Sequence, residues 1–162
     1  MELADEQSYK LKLLKELEIK KELDKRKRIE RNRDNFKSFA KDQLKIITKD
    51  ATRGYIEFEF NDCQIKIHKA IEKQRKEKGR VRALVLKARQ QGISTYTAGR
   101  VFWKTFYTPH TRSVVIAHDS ATSDALFTMS KQFIDRMSDD FKPSLIRSNA
   151  KEVKFAHNDS GF

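Results

Sequence analysis

The stretch that decides the predicted fold is residues 82–95, RALVLKARQQGIST. Residues 83–86 form an uninterrupted apolar run, which is typical of a strand covered on both faces in a parallel sheet. Gly92 allows the backbone to turn, and Ser94 and Thr95 offer hydroxyl groups where a helix begins. A strand, a loop and a helix N-terminus direct unpaired backbone N–H groups at one point, so the stretch predicts a phosphate-binding loop.

The segments after this loop predict an α/β fold with a parallel sheet core. A helix over residues 94–107, an apolar strand over 113–117 and a helix over 120–137 alternate along the chain. Such alternation is the signature of a right-handed parallel α/β arrangement. A further strand over 152–156 and a hairpin turn over 158–161 follow.

Before the loop, the sequence predicts two helices and a half-buried strand. Apolar spacing indicates a short helix over residues 36–47. Strict alternation over residues 55–60 indicates a strand with one buried face. Asn61 or Asp62 can cap a helix over residues 63–78, which carries a basic outer flank.

The composition of the chain favours anionic partners. The 162 residues carry a formal net charge of +12 with a sequence pI of about 9.8, which suits nucleic acid, nucleotide phosphates or an anionic membrane surface. No apolar run approaches the ~20 residues of a membrane span, and no secretory signal is evident, so the sequence predicts a soluble intracellular protein. Cys63 is the only cysteine, and the four histidines have no metal-ligand spacing.

Residues 1–35 form a predicted helical extension that is dominated by charge. Its apolar stripe stops after Leu23, and a nearly all-polar stretch with a basic run over residues 25–28 follows. Three interpretations stay open: a solvated helix, a helix docked on a partner subunit, and a helix that binds nucleic acid phosphates. Residues 36–162 form the second predicted region.

Residues 87–95 differ from a standard P-loop at one key position. The standard motif, G-x-x-x-x-G-K-[ST], places its lysine on the β- and γ-phosphates and its last hydroxyl on magnesium. Aligning Gly92 with the second glycine puts Ile93 at the lysine position and Ser94 at the magnesium position. Lys87 and Arg89 are then the cations in the loop that can neutralise phosphate. An ordinary strand-to-helix turn with a capping serine remains the alternative.

The sequence KARQQGIST of residues 87–95 resembles the variant Walker A motif of the large terminase subunits of tailed bacteriophages, the ATPases that pump DNA into capsids. The resemblance covers roughly residues 36–162 and implies an incomplete P-loop NTPase core of the ASCE type. It includes a segment before the core, an adenine-recognition segment, a second core strand and a hairpin, at residues 36–47, 58–64, 114–119 and 148–155.

The resemblance implies a site for ATP and Mg²⁺. Ser94 is implied to hold magnesium, and Gln64 and Phe58 are implied to contact adenine. The implied phosphate-binding residues are Lys87, Arg89, Gln90, Gln91, Gly92, Ile93, Ser94 and Thr95. The sequence itself offers rival roles, because Gln64 can close a capping box with Asn61 and alternation favours the core for Phe58.

No catalytic residue is predicted, because a Walker B motif needs an acidic residue after an apolar strand and then a glutamate that activates water. Asp119 follows the strand over 113–117 but precedes Ser120, so a helix N-cap is the favoured role of Asp119. The chain is expected to be truncated before Walker B and before the nuclease domain that the family carries. It is therefore expected to bind ATP without hydrolysing it.

The family implies double-stranded DNA, the portal protein and the small terminase subunit as partners, a homo-oligomeric ring for the full-length motor, and the host cytoplasm as location. The alternative function is a short, non-enzymatic terminase relative that binds DNA or a packaging partner through its basic helix over residues 1–35. A different P-loop NTPase, such as a helicase, is a third possibility.

Overall fold

The computed structural model describes residues 2–48 and 54–162, and their side chains from residue 10 onward. The chain divides into two compact units, residues 1–35 and 36–162. The elements along the described residues are α1 (Glu2–Asp34), α2 (Phe36–Gln43), β1 (Lys45–Ile47), β2 (Tyr55–Glu57), α3 (Asp62–Lys78), α4 (Ile93–Tyr107), α5 (Ser120–Arg136), β3 (Leu145–Ser148) and β4 (Val153–Phe155).

The first unit is the single helix α1, as its composition predicts. It contains no glycine or proline, and its leucines from Leu11 to Leu23 are about half exposed. Arg31 and Arg33 lie in its last turn, where cations interact favourably with the negative end of the helix dipole.

The predicted parallel sheet core is wrong. The described residues contain only two small antiparallel sheets, β1 with β2 and β3 with β4. Neither residues 83–86 nor residues 113–117 form a strand. Leu84 and Leu86 are each 104% exposed, and Ile116 is 88% exposed, so these apolar runs are not covered on two faces.

These two apolar runs form no strand because an apolar run indicates only a preference for burial, whereas a strand also needs a neighbouring backbone for its hydrogen bonds. Ser113 N–H donates to the Gly161 carbonyl at 2.9 Å, and Gly161 N–H donates to the Thr111 carbonyl at 3.0 Å. This short pairing ends before Val114. Arg82 N–H donates to a side chain instead, the Gln74 Oε1 of α3 at 2.6 Å.

Two further predicted elements are shorter than expected. The helix predicted over residues 36–47 ends at Gln43, and the strand predicted over 55–60 ends at Glu57. Lys45–Ile47 instead pairs with Tyr55–Glu57 in an antiparallel register that joins Lys45 to Glu57. The helical spacing of residues 44 and 47 was misleading because a strand partner outweighs a short stretch of helical periodicity.

An aromatic core holds the second unit together. Phe36 and Phe39 of α2 are buried against Tyr96 and Phe102 of α4, with ring centroids 5.5 Å and 6.2 Å apart. Phe133 of α5 contacts Phe102 at 5.7 Å. Helix α4 therefore lies in the middle of the core, which fixes the position of its N-terminus.

A turn follows β4 as predicted, but it lies at residues 156–159 and not at 158–161, because Phe155 N–H donates to the Ser160 carbonyl at 2.8 Å and Gly161 pairs with Lys154. Asn158 in this turn and Ser160 after it also cap the C-terminus of α4. Asn158 Nδ2 donates to the carbonyls of Thr105 and Phe106 at 2.9 Å each, and Ser160 Oγ donates to the Thr108 carbonyl at 2.7 Å. After the turn, Phe162 N–H returns to the Val153 carbonyl of β4 at 3.0 Å. The bonds from Asn158 and Ser160 satisfy the last carbonyls of α4, which have no partner within the helix.

Candidate phosphate-binding site

The N-terminus of α4 presents free backbone donors. Gly92 is its N-cap, in a left-handed conformation with φ of 70°, and no side chain caps this end. The first bond of the helix runs from Tyr96 N–H to the Gly92 carbonyl at 3.0 Å. Within residues 2–48 and 54–162, no acceptor is present for the N–H groups of residues 93–95. Three amides at the positive end of a helix dipole suit an anion.

The loop before α4 supplies cations, and the first turn of α4 supplies a hydroxyl group. Lys87 lines a cavity of about 260 Å³ together with Ile93 and Ser94. The side chains of Ser94 and Arg89 are exposed, and neither Lys87 nor Arg89 contacts a carboxylate in the described part of the chain. Gln90 has a left-handed backbone with φ of 63°, which is uncommon for a residue other than glycine. The donors of this loop match a phosphate group.

The first turn of α3 contacts this loop. Asn61 is the N-cap of α3 and forms a capping box with Gln64, which confirms the role that the sequence offered as an alternative. Gln64 also donates from Nε2 to the Gly92 carbonyl at 2.8 Å. The structure therefore joins Gln64 to the loop over residues 87–92. Its contact with adenine stays a prediction.

Phe58 lies in the core, as its alternation in the sequence favours. Its side chain is 1% exposed, and its ring contacts Phe60 at 5.3 Å. A fully buried ring has no free face on which a base can stack, so the structure does not bring Phe58 to the loop.

Asp119 is a helix cap, as predicted. It is the N-cap of α5, and its carboxylate accepts hydrogen bonds from Thr122 N–H at 2.7 Å and from Thr122 Oγ1 at 2.8 Å. These bonds hold the pKa of Asp119 below its ordinary value. Both oxygens are thus already engaged by the first turn of the helix.

A polar network between α3 and α4 was not predicted from the sequence. Arg100 donates to Glu72 at 2.6 Å, and its guanidinium approaches the Tyr96 hydroxyl at 3.4 Å. The Tyr96 hydroxyl lies 3.0 Å from His68 Nδ1. The four residues occur as two pairs with i,i+4 spacing, His68 with Glu72 and Tyr96 with Arg100. That spacing was the available signal, because it places each pair on one helix face.

Burial controls the titration of this network. It lowers the pKa of His68, a shift that the nearby Glu72 opposes, and it raises the pKa of Tyr96. Burial favours the neutral form of Glu72 as well, but the hydrogen bonds from Arg100 and Arg75 outweigh it and hold the pKa of Glu72 below its ordinary value.

We expect the free energy of unfolding to decrease as the pH is lowered, because His68 is harder to protonate in the folded state than in the unfolded chain. A lowered folded pKa means that the unfolded chain binds the proton more tightly, so the stabilisation is complete above the unfolded value of about 6.5 and is lost as pH falls through the folded pKa. Thermal melting between pH 7.5 and 5.5 measures the effect. His68→Gln should reduce the decrease in Tm, and His110→Gln, at an exposed site, should retain it. An unchanged decrease in the His68 variant would refute this assignment.

No protein-family model matches the chain, and no curated protein matches it. Within the described residues, no helix is long and apolar enough to cross a membrane. The site is therefore defined by its own geometry: the N-terminus of α4, the loop over residues 87–92 and the first turn of α3.

Proposed function

We propose that the chain binds ATP with Mg²⁺ through residues 87–95, as the nucleotide-binding portion of a viral DNA-packaging motor. The observation that carries the proposal is the set of free N–H groups at residues 93–95, together with a cavity that both Lys87 and Ser94 line. The resemblance of KARQQGIST to the variant Walker A of large terminase subunits supports ATP as the ligand. The proposal depends on the loop and on α4, not on a parallel sheet.

The chemistry of each group suits a triphosphate. Backbone N–H groups and the helix dipole attract phosphate oxygens, and Lys87 and Arg89 neutralise their charge. The Ser94 hydroxyl offers an oxygen ligand of the kind that Mg²⁺ accepts together with phosphate oxygens. The proposed activity of these residues is binding, because backbone N–H groups, two cations and a hydroxyl group are groups that hold an anion and its cation.

Calorimetric titration of the chain with ATP, with and without Mg²⁺, tests this function. We expect binding that Mg²⁺ strengthens, because the Ser94 hydroxyl would supply an oxygen ligand to a cation that neutralises phosphate charge. Ser94→Ala should lose about tenfold in affinity in the presence of Mg²⁺ and little in its absence, in line with the ~1.4 kcal/mol that corresponds to tenfold. Thr128→Ala, which removes an exposed hydroxyl from α5, should bind normally. Absence of ATP binding by the unsubstituted chain would refute the function.

A second function, binding of double-stranded DNA, is favoured by the basic second half of α1. Arg26, Lys27 and Arg31 are exposed on this helix. Exposed cations on a helix bind DNA phosphates and release counterions. In this proposal the motor is a ring of copies in the host cytoplasm that engages DNA, a portal protein and a small terminase subunit.

Salt dependence of duplex binding tests the role of α1. Replacing Arg26, Lys27 and Arg31 with glutamine should reduce the slope of log K against log salt by up to about 2.7, which is about 0.9 for each lost phosphate contact. The same replacement at Lys69, Lys76 and Lys78 of α3 is the charge-matched control. An equal reduction in both variants would show that the effect is one of net charge and not of α1.

A further inference from the structure

The side-chain amide of Gln64 joins two elements of the candidate site. Its Oε1 accepts from Asn61 N–H at 3.0 Å, and its Nε2 donates to the Gly92 carbonyl at 2.8 Å. Gln64 is 3% exposed, so both bonds are shielded from water. Buried polar groups that lose a partner are costly, and this contact therefore has a strong influence on the backbone at Gly92.

Two neighbouring side chains contact the same loop. Asn61 Nδ2 lies 3.3 Å from the Gln91 carbonyl, and Cys63 Sγ lies 3.0 Å from Gln91 Oε1. The first turn of α3 thus contacts both residues that precede the free amides of α4. Gln64 differs from the other two because its partner carbonyl belongs to the N-cap itself.

The fit between Gln64 and Gly92 is close. A Cβ atom built at Gly92 would lie 2.7 Å from Gln64 Nε2, and 3.3 Å from Asn61 Nδ2. The Gly92 carbonyl also accepts the first helical bond, from Tyr96 N–H. A donor that holds this carbonyl fixes the peptide plane after Gly92 and hence the direction of the Ile93 N–H group.

We propose that Gln64 is a positioning residue that orders the phosphate loop, so that phosphate affinity depends on Gln64 even when the ligand has no base. This inference rests on the proposed nucleotide function. It differs from adenine recognition, in which Gln64 contributes only to ligands that carry the base. The two roles predict different results with inorganic tripolyphosphate.

The test uses Gln64→Glu and Gln64→Met in the full chain. Glutamate can still accept from Asn61 N–H, as in a common capping box, but cannot donate to the Gly92 carbonyl when ionised. Methionine removes the donor without adding a negative charge. Gln132→Glu, on α5, is the control for charge alone. Titrations with Mg²⁺–tripolyphosphate and Mg²⁺–ATP are compared.

We expect both Gln64 variants to weaken tripolyphosphate and ATP by the same factor, roughly tenfold, as the loss of one buried hydrogen bond implies. Amide hydrogen exchange of Tyr96, whose N–H donates to the Gly92 carbonyl, should accelerate without ligand in both variants and not in Gln132→Glu. Weakened ATP binding with unchanged tripolyphosphate binding would overturn the proposal in favour of adenine recognition. Unchanged exchange at Tyr96 would also overturn it.

Failure of the underlying function has a different signature. If the unsubstituted chain binds neither ligand, the proposed nucleotide function fails, and so does the role of Gln64 in phosphate affinity. Accelerated exchange at Tyr96 in the variants would then still establish that Gln64 orders the Gly92 carbonyl. If the unsubstituted chain binds both ligands and exchange is normal in the variants, the positioning role of Gln64 is rejected and the nucleotide function stands.

Discussion

Gly92→Ala is expected to lower the affinity for Mg²⁺–ATP by at least about tenfold. Alanine at φ of 70° costs about 1–2 kcal/mol, because the Cβ atom approaches the following carbonyl oxygen in the left-handed conformation. The same Cβ atom would lie 2.7 Å from Gln64 Nε2. The loop must move to relieve the contact, and the free N–H groups of residues 93–95 then lose their common direction. Calorimetric titration measures the loss.

Gly79→Ala is the matched control for this prediction. Gly79 is the C-cap of α3 with φ of 66°, and a Cβ atom built there meets nothing within 4 Å. Its substitution should lower the free energy of unfolding by the same left-handed cost, roughly 1–2 kcal/mol, and leave ATP affinity unchanged. Equal ATP affinity in Gly92→Ala and the unsubstituted chain would contradict the proposed site.

Lys87→Ala should weaken Mg²⁺–ATP binding more strongly than Arg89→Ala. A hydrogen bond to a charged group contributes about 1.5–3 kcal/mol, which is roughly tenfold to a hundredfold in affinity. Lys87 lines the same cavity as Ser94, whereas Arg89 lies nearer the exposed turn at Gln90. We therefore expect Lys87, and not Arg89, to contact a phosphate beside Ser94.

The control for the lysine substitution is Lys69→Ala, which removes one exposed positive charge from α3. It should change ATP affinity only slightly at 0.15 M salt, where the Debye length is about 8 Å. Negligible effects of both Lys87→Ala and Arg89→Ala would argue against either residue as a phosphate ligand. A loss of ATP affinity in Arg89→Ala alone would assign the phosphate contact to Arg89 instead of Lys87.

Helix ends were predictable from the sequence because local chemistry determines them. Asn61 with Gln64, and Asp119 with Thr122, satisfy free N–H groups within one turn, so their side chains reveal the position of a cap. The turn at residues 156–159 has the same local origin, although the sequence placed it two residues later. Each of these features depends on residues close together in the chain.

The sheet was not predictable in the same way. Residues 83–86 have the composition of a buried strand, but a strand depends on partners that are distant in sequence. In the structure, Leu84 and Leu86 are exposed, and the nearby Arg82 N–H is bonded to a side chain of α3. The pairing of Lys45 with Glu57 is a second case, since the helical spacing before it contained no sign of its strand partner.

The loop of the candidate site could be predicted from the sequence, whereas the side-chain contacts around the loop could not. Gly92 and Ser94 lie where the sequence predicted, at the start of a helix. The bond from Gln64 to Gly92 was not predicted, because it joins residues 28 positions apart. The network of His68 and Tyr96 is likewise formed between two helices, and its two i,i+4 pairs do not reveal that they meet.

The most direct test of the central claim is to map the backbone amides that respond to Mg²⁺–ATP by NMR. We predict that the largest chemical-shift changes occur at the amides of residues 92–95, and that tripolyphosphate perturbs the same amides. These changes should be lost in Lys87→Ala. Unperturbed amides at residues 92–95 under conditions in which ATP is bound, with changes elsewhere in the chain, would contradict the assignment of this helix N-terminus as the phosphate site.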